Sequence, residues 1–226
     1  MSDSFTPTPR TKVVRRPQRA NYDRQTVYAI LDEALIGALA IVIDGEPFVQ
    51  PMIHARDGDD LILHGSKANR MLGLIETGAR VAFSVSIIDG LLLGRSVPDH
   101  SFQYRSVSIH GAARAIANPA EKRARMRKVF DHIIKDRWEI LPPVSDEYLG
   151  AMKVLVMPLE ECVAKINASV PADTPGEPPH AVWSGVIPFS LQAGPLQPAP
   201  GPQPQPNEAV AQYRRPQPVS SSLKSG

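Results

Sequence analysis

The 226-residue sequence contains a single cysteine, Cys162, and few aromatic residues. One cysteine excludes a disulfide framework and a cysteine-rich metal site, and it fits a reducing cytoplasm. The apolar setting of Cys162 indicates a packing residue, with a redox or nucleophilic role as the alternative. No apolar run approaches the roughly 18 to 20 residues of a membrane span, and the N-terminus lacks the apolar core of a signal peptide. The sequence therefore predicts a soluble, cytoplasmic protein that does not bind a membrane.

An excess of one charge is also absent, because 25 basic residues stand against 23 acidic ones. The resulting net charge of +2 gives no support for nucleic-acid binding. The six histidines show no metal-ligand spacing, so no metal site is predicted. The composition predicts three regions: a basic flexible arm (1–20), one domain (21–188) and a Pro-, Gln- and Ser-rich disordered tail (189–226). The arm either stays solvated or folds across a partner subunit.

The pattern of apolar residues in the domain predicts short strands with helices at their margins. Asp23 is placed to cap a first helix, and a second helix is predicted over about residues 67–77, ended by Gly78. Between them, tight turns at 45–46 and 57–60 separate apolar strands, which is typical of an antiparallel meander. At least six strands without βαβ alternation predict a mainly β fold, a small antiparallel barrel, and exclude a Rossmann site.

The stretch LILHGSKANRML carries the first group of polar residues with a chemical pattern. An apolar strand runs into a glycine, a hydroxyl and a cation, and a short helix then begins with an amide and a second cation. These residues are Gly65, Ser66, Lys67, Asn69 and Arg70. A glycine turn, a helix N-terminus and cationic side chains together are typical of a phosphate site. The alternative is an ordinary helix start with solvated cations.

The stretch QYRSVSIHG carries the second group, on a later strand. Tyr104, Arg105 and Ser106 can donate hydrogen bonds to a planar ring or to the same phosphate. The alternative is a barrel strand in which Val107 and Ile109 face the core and the polar residues face water.

Five segments in order resemble the pyridoxamine 5′-phosphate oxidase-like FMN-binding split barrels, in the flavin-nucleotide-binding and nitroimidazole-resistance-like branch. They are RRPQRANYDRQTVYAILDEAL, GDDLILHGSKANRML, DGLLLGRSVPDHSFQYRSVSIHG, KVLVMPLEECVAKI and VWSGVIP, within residues 14–188. Each segment alone is a weak signal, and their number and order make the resemblance. It implies a six-stranded antiparallel split β-barrel with flanking helices. It also implies a homodimer with FMN in two symmetric grooves between the subunits.

The resemblance also implies which residues bind the cofactor. The positions are His64, Gly65, Ser66, Lys67, Arg70, Tyr104, Arg105, Ser106 and Trp183. The first five hold or flank the FMN phosphate. The next three lie on a strand that often reaches the cofactor from the partner chain, the tryptophan packs near the isoalloxazine, and residues 51–54 run along the ring.

The substrate side departs from the family pattern. Pyridoxamine phosphate oxidases place an arginine and a histidine just after that tryptophan, whereas Ser184, Gly185 and Val186 follow it here. Vitamin B6 oxidation is therefore not expected. A pocket histidine is implicated in substrate handling in the nitroimidazole-resistance relatives, so His64 or His54 is the candidate catalytic residue. A satisfied polar side chain is the alternative for either histidine.

The resemblance predicts an FMN-dependent oxidoreductase that passes electrons from reduced flavin to a small acceptor such as a nitroaromatic, a quinone or oxygen. A deazaflavin in place of FMN is an open alternative. So is a non-catalytic flavin or haem protein, a store or a sensor, in which His54, His64 or His100 binds haem.

Overall fold

The structure, a computed structural model, describes residues 3–173 and 181–215. The strands are β1 (Ala20–Asn21), β2 (Ile36–Ile43), β3 (Glu46–Asp57), β4 (Asp60–Ser66), β5 (Arg80–Leu93), β6 (Ser101–Ala112), β7 (Arg114–Ala115), β8 (Met152–Pro158), β9 (Glu161–Asn167) and β10 (Gly185–Pro188). The helices are α1 (Arg24–Glu33), α2 (Arg70–Glu76), α3 (Pro119–Ile133), α4 (Asp146–Gly150) and α5 (Glu208–Ala211). The mainly β prediction is confirmed.

All strand pairs among the described residues are antiparallel, in the order β1-β9-β6-β5-β2-β3-β4-β8-β7, and β10 pairs with β5. The β2–β3 hairpin turns at Asp44 and Gly45, which both have positive φ (54° and 84°). That conformation is typical of the two-residue turns that match strand twist, and glycine adopts it without steric cost. Gly58, at φ 61°, serves the β3–β4 hairpin in the same way.

Side-chain oxygens cap the starts of the helices, and Asp23 is the cap that the sequence predicts. Asp23 accepts a hydrogen bond from the Thr26 amide (2.8 Å) at the start of α1, and Asn118 caps α3. The second helix is shorter than predicted: it starts at Arg70, because Asn69 acts as its N-cap and accepts from the Leu72 amide (3.1 Å). A side-chain oxygen at the cap satisfies an amide that has no partner within the helix.

Two apolar clusters lie on either side of the sheet formed by β3, β4 and β8. The larger fills the barrel and receives α1 and α2, whereas the smaller packs α3 and α4 against the opposite side of these strands. Cys162 lies in the larger cluster with no exposed surface, and burial raises the pKa of its thiol to about 12. A protonated, inaccessible thiol fits the packing role rather than the nucleophilic one.

The N-terminal arm packs on its own chain over its described part. Phe5 is buried in the larger cluster, and its amide donates to the carbonyl of Tyr22 (2.8 Å). Arg10 forms a two-point ion pair with Glu161 of β9. One buried apolar residue and one ion pair thus hold the arm along β9. Its composition, which is too polar for a separate hydrophobic core, predicts a flexible arm.

Beyond β10 the described chain, 189–215, is mostly extended and exposed apart from α5. Residues 189–191 and Arg215 come back against the side of the barrel where α1 ends. The predicted tail boundary at residue 189 stays a prediction, and residues 216–226 lie outside the described ranges.

Candidate functional site

Asn69 and Arg70 are the members of the first polar group that line a groove. The groove holds about 370 Å³ and lies between the β2–β3 hairpin and the start of α2. It is lined by Ile43, Phe48, Val49, Gln50, Asn69, Arg70 and Met71. The Arg70 guanidinium lies 6.0 Å from the Phe48 ring centroid and forms an exposed ion pair with Asp44 (3.3 Å). An exposed pair of this kind contributes little to stability, so a stronger anion can replace Asp44.

Two amide side chains complete the polar side of this groove: Asn69, which belongs to the first polar group, and Gln50, which the sequence does not predict as a site residue. Asn69 donates to the side-chain oxygen of Gln50 (3.3 Å) while it caps α2. Gln50 is the polar residue in an apolar strand, PFVQPMIHA, and that contrast is the signal that identifies it. Phe48 and Val49 are exposed apolar residues on the same hairpin, typical of a ligand wall.

Ser66 and Lys67 precede this groove and do not line it. The Ser66 hydroxyl oxygen accepts from the Ala68 amide (3.1 Å), and the Lys67 amide donates to the carbonyl of Ala151 (2.9 Å). Both side chains are exposed, so both remain available to an anion near Arg70. Their assignment to a phosphate stays a prediction.

Gly65 has a different role from the turn inferred from its sequence context. It lies inside β4, paired with Lys153, and its backbone does not have positive φ. A Cβ at this position would lie 2.8 Å from Cδ1 of Leu72, which is buried on α2. The glycine therefore allows α2 to pack closely on β4. The expected glycine turn at this position is wrong, because the chain turns after Ser66 instead.

The two candidate catalytic histidines lie on opposite faces of the sheet. His54 has no exposed surface: its Nε2 donates to the carbonyl of Leu31 (3.0 Å), and its ring packs against Phe83 and His132 at 5.1 and 5.3 Å between centroids. Burial, with a smaller effect of His132, lowers the pKa of His54 to about 4. His54 is therefore neutral at pH 7 and closed to a substrate in this conformation.

His64 is half-buried, on the side of β4 opposite Gly65. Burial lowers its pKa, and its buried Nδ1 has no hydrogen-bond partner among the described residues. Strand alternation directs it away from α2 and from the Arg70 groove. The structure therefore does not bring His54, His64 and Arg70 together.

The second polar group is divided between two faces of β6. Tyr104 and Ser106 lie on the outer face, whereas Arg105 points inward and is 5% exposed. Arg105 donates to both oxygens of Asp89 (2.9 and 2.6 Å) and of Glu33 (2.9 Å for the longer contact). Burial alone would lower the pKa of Arg105, but the hydrogen bonds to Asp89 and Glu33 raise it overall.

Arg105 thus has two carboxylate partners and little capacity left for a ligand. The ion-pair cluster Glu33–Asp89–Arg105 lies at the base of a second groove, of about 550 Å³, which residues 189–191 partly cover. A buried arginine with matched carboxylates fixes the arrangement of the elements that carry them. Here it joins α1 to β5 and β6.

The strand register places the two polar groups at opposite ends of the barrel. Tyr104 pairs with Ile88 near one end of β5. Arg70 pairs with Asp44, whose turn lies beyond the other end of β5, because β2 and β5 run antiparallel. From Ile88 to Arg80 the strand spans about 27 Å at ~3.4 Å per residue. Within one chain, Tyr104 and Arg70 therefore do not contact the same small ligand.

The outer face of the β2–β3 hairpin is apolar and uncovered. Its cross-strand pairs are Ile36 with Ile53, Ala38 with Pro51, Ala40 with Val49, and Val42 with Pro47. Val42 and Val49 are each 66% exposed. A continuous apolar face without a charge is typical of a surface that another molecule covers. Trp183, 64% exposed, lies elsewhere, in the loop before β10.

Comparison with known proteins agrees with this architecture. A sequence profile of the pyridoxamine 5′-phosphate oxidase family matches residues 23–166, well over half of the chain. The chain belongs to this family. The antiparallel split-barrel prediction is confirmed with it. A search of curated proteins finds no match.

Two solved structures resemble most of the chain. The flavocytochrome Anf3 from Azotobacter vinelandii is 32% identical, with a TM-score of 0.87 over 93% of this chain and 99% of its own. An FAD and heme binding protein from Mycobacterium smegmatis is 29% identical, with a TM-score of 0.81 over 85% and 96%. A candidate 5-nitroimidazole antibiotic resistance protein from Bacteroides thetaiotaomicron shares the fold (TM-score 0.56, 23% identity, 65% of this chain and 86% of its own).

Two further features concern the described part of the chain only. No helix there is long and apolar enough to cross a membrane. Nor do three or more His, Cys, Asp or Glu side chains within these ranges form a group that could hold a metal ion.

Proposed function

We propose that this protein binds a flavin nucleotide and acts as an oxidoreductase that passes electrons from the reduced flavin to a small acceptor. The observation that carries the proposal is the groove beside Arg70. It combines a cation held by a weak exposed pair, two amide side chains and an apolar wall, at the position that the family resemblance assigns to the cofactor phosphate. Membership of the family and the two flavin-binding relatives support it.

The residues of the groove fit a flavin phosphate and the edge of its ring. Arg70 would exchange its contact with exposed Asp44 for a charge-assisted contact with the phosphate, which is stronger. Phe48 and Val49 would pack against apolar ligand surface, and Asn69 and Gln50 would donate hydrogen bonds. When bound, the flavin would supply the redox chemistry, and the protein would bind and orient it.

We propose further that the protein works as a homodimer. In one chain Tyr104 and Ser106 lie at the far end of the barrel from Arg70, and a second chain in the reverse direction would bring them to the Arg70 groove. The uncovered apolar face of the β2–β3 hairpin offers the surface for that contact. Arg105 holds Glu33 and Asp89 and would act by positioning β6.

The proposal also covers which flavin nucleotide is bound and which acceptor is reduced. The sequence predicts FMN, whereas one relative is described as FAD-binding and another as a flavocytochrome, so both nucleotides are candidates. Nitroaromatics, quinones and oxygen are the proposed acceptors. Oxidation of vitamin B6 is not proposed, because Ser184, Gly185 and Val186 follow Trp183 in place of an arginine and a histidine.

The visible spectrum of the purified protein tests the proposal. We expect flavin absorption bands, either as purified or after addition of micromolar FMN or FAD, that are bleached by NADH or NADPH and restored by a nitroaromatic or a quinone. A protein that binds neither nucleotide at micromolar concentration would contradict flavin binding. Bound flavin that no donor reduces would instead favour the flavin store or sensor.

Substitution of Arg70 tests the position of the phosphate. Arg70→Ala should weaken flavin binding by about 1.5 to 3 kcal/mol, because a hydrogen bond to a charged group is worth about that much. Arg114→Ala removes an equally exposed guanidinium paired with Glu121 and is the matched control. Equal flavin affinity of the two variants would mean that the phosphate binds elsewhere.

Haem binding is a second candidate function, favoured by the flavocytochrome and the FAD and heme binding protein among the relatives. His100 is exposed, and its Nδ1 lies 2.9 Å from the carbonyl of Ser96. A metal-ligating histidine typically donates its other ring nitrogen to such a carbonyl. A Soret band after haem titration that is lost in His100→Ala supports this candidate, and no band at all contradicts it.

A further inference from the structure

A third groove, of about 730 Å³, lies on the outer face of the barrel where the N-terminal arm meets the ends of β6 and β9. Its walls come from a 3-10 turn at Pro17–Arg19, from the loop before β6 and from the chain that follows β9. The volume falls within the range of small-molecule sites, roughly 300 to 1,000 Å³. Within one chain it is separate from the groove beside Arg70, although it includes Tyr104, which the proposed dimer would bring next to the Arg70 groove of the second chain.

Four cationic side chains line this groove, and none forms an ion pair with a carboxylate of the described residues. They are Arg15, Arg16, Arg19 and Lys165. Most arginines elsewhere on the surface have acidic partners, such as Arg10 with Glu161 and Arg95 with Asp173. Unpaired cations around a concave site therefore distinguish this groove from the rest of the described surface. Like charges without partners repel one another, so an anion between them would lower the free energy.

Acidic groups do little to neutralise these cations. Asp99 is the one carboxylate among the lining residues, and it accepts a hydrogen bond from the Ser96 hydroxyl (2.5 Å). Arg16 also has left-handed backbone geometry (φ 58°, ψ 57°), which is disfavoured for a residue with a Cβ. Strained backbone conformations cluster at ligand sites, so this one adds support for a binding role of the groove.

The remaining walls offer hydrogen bonds and one aromatic ring. The hydroxyls of Ser101 and Ser169 and the half-buried ring of Tyr104 line the groove. Asn167 is fixed there, because its Nδ2 donates to the carbonyl of Phe102 (2.5 Å) and its Oδ1 accepts from the Ser169 hydroxyl (2.8 Å). A ring beside clustered cations and hydroxyls suits a phosphorylated aromatic compound.

We propose that this groove binds the adenosine diphosphate moiety of a dinucleotide, with its phosphates among Arg15, Arg16, Arg19 and Lys165 and its base beside Tyr104. Two dinucleotides carry this moiety: FAD, or the nicotinamide nucleotide that reduces the flavin. The FAD version rests on the proposed flavin function, whereas binding of ADP itself does not. His100 also lines this groove, so haem ligated by His100 would compete with a dinucleotide for the same space. Haem is the less suitable occupant, because it needs apolar walls on both faces of a large ring and most of these walls are polar.

Calorimetric titration of the full-length protein with ADP tests the groove independently of flavin. We expect saturable binding that a double variant, Arg16→Ala with Lys165→Ala, weakens at least tenfold. The matched control, Arg114→Ala with Arg127→Ala, removes the same charge from exposed sites elsewhere and should bind ADP as the native protein does. No binding of ADP at millimolar concentration by the native protein would overturn the proposal, as would equal weakening in both double variants.

Parallel measurements identify the dinucleotide. If the groove holds part of FAD, the double variant should lose FAD affinity at least tenfold and keep its FMN affinity. If it holds the electron donor, FAD affinity should stay the same and the KM for NADH or NADPH should rise at least tenfold. A protein that binds ADP but no flavin would refute the proposed function and leave the groove assignment intact. Arginine-dependent binding of haem without binding of ADP would overturn the assignment.

Discussion

Burial, rather than closeness to a groove, determines the chemistry of His54. The imidazole has no exposed surface, it donates to the Leu31 carbonyl, and it packs against Phe83 and His132. In this environment a proton on His54 is destabilised by desolvation and by the neighbouring imidazole. The neighbouring carboxylate, Asp32, opposes this only weakly. His54 is thus better described as a polar residue of the core than as an acid or a base.

This environment makes stability depend on pH. The pKa of His54 is about 4 in the folded protein, below its ordinary value of 6.5, so the unfolded chain binds the proton first as the pH falls. The free energy of unfolding should be constant above about pH 6.5 and should decrease by roughly 3 kcal/mol between pH 6.5 and 4 from this residue. His64 and His132, whose pKa values burial also lowers, add losses of the same sign.

The contribution of His54 is measured by denaturant unfolding at several pH values from 7.5 to 4.5. His54→Gln retains a side-chain donor for Leu31 and removes the titration, so its free energy of unfolding should fall less steeply with decreasing pH. His64 and His132 are present in both proteins, and their share largely cancels in the comparison. Parallel curves for the native protein and the variant would contradict the assigned burial effect.

At the scale of elements, the packing of α2 on β4 depends on one missing side chain. The Gly65 backbone lies against the Leu72 side chain, and a Cβ at position 65 would lie 2.8 Å from Leu72 Cδ1, so any other residue would force that buried side chain to move. This packing also sets the position of Asn69 and Arg70 at the start of α2. The geometry of the Arg70 groove therefore depends on Gly65, which does not contact the groove lining itself.

Gly65→Ala should destabilise the protein by about 1 to 3 kcal/mol, because overpacking a buried contact costs about that much. Leu72→Ala is itself destabilising because it removes a buried side chain, but in that background Gly65→Ala should cost less, because the shorter side chain makes room for the new methyl group. Gly73→Ala, within α2, is the matched control: its Cβ would lie 3.6 Å from the Lys153 ammonium, an ordinary contact, and should stabilise the helix by about 0.5 to 1 kcal/mol. Additive effects of Gly65→Ala and Leu72→Ala would contradict the close approach.

The same elements show how far sequence reasoning reaches. Local signals predict the helix cap at Asp23 and the hairpin turn at Gly45, because these depend on neighbours in the chain. At Gly65 the same signals predict a turn, because a glycine in a close packing contact and a glycine in a turn look identical in the sequence. Only the fold reveals that Leu72 requires it.

Contacts between residues that are distant in the chain cannot be predicted from local sequence signals. In the sequence, Arg105 resembles a ligand-binding cation. The fold shows that it instead forms ion pairs with Glu33 and Asp89, which come from other parts of the chain. The opposite applies to Gln50, which becomes a candidate through its contact with Asn69. The assignment of residues to the flavin by family resemblance stays a prediction at each of these positions.

At the scale of the whole molecule, the distribution of exposed apolar residues indicates where the surface is incomplete. The outer side of the β2–β3 hairpin carries four apolar cross-strand pairs without a charge. The proposed site requires elements from both ends of the barrel, which one chain cannot bring together. Both features are accounted for if two chains pack through this face in opposite directions.

A charge on this face should separate the two chains of the proposed dimer. Val42→Glu places a carboxylate on a residue that is 66% exposed in one chain and lies outside the lining of the Arg70 groove. Burying it without a partner in an interface would cost several kcal/mol, so the dimer should dissociate at least tenfold more readily in sedimentation equilibrium. Flavin affinity should fall with the loss of the dimer, because the Arg70 groove of each chain would then lack the Tyr104 and Ser106 that the second chain provides.

Ile140→Glu is the control for this experiment, because Ile140 is 53% exposed in a 3-10 turn away from the hairpin. It should leave both the oligomeric state and the flavin affinity as they are in the native protein. Dissociation in the Val42 variant without loss of flavin would mean that one chain holds the whole site. A native protein that is monomeric at micromolar concentration, yet binds flavin, would refute the shared groove altogether.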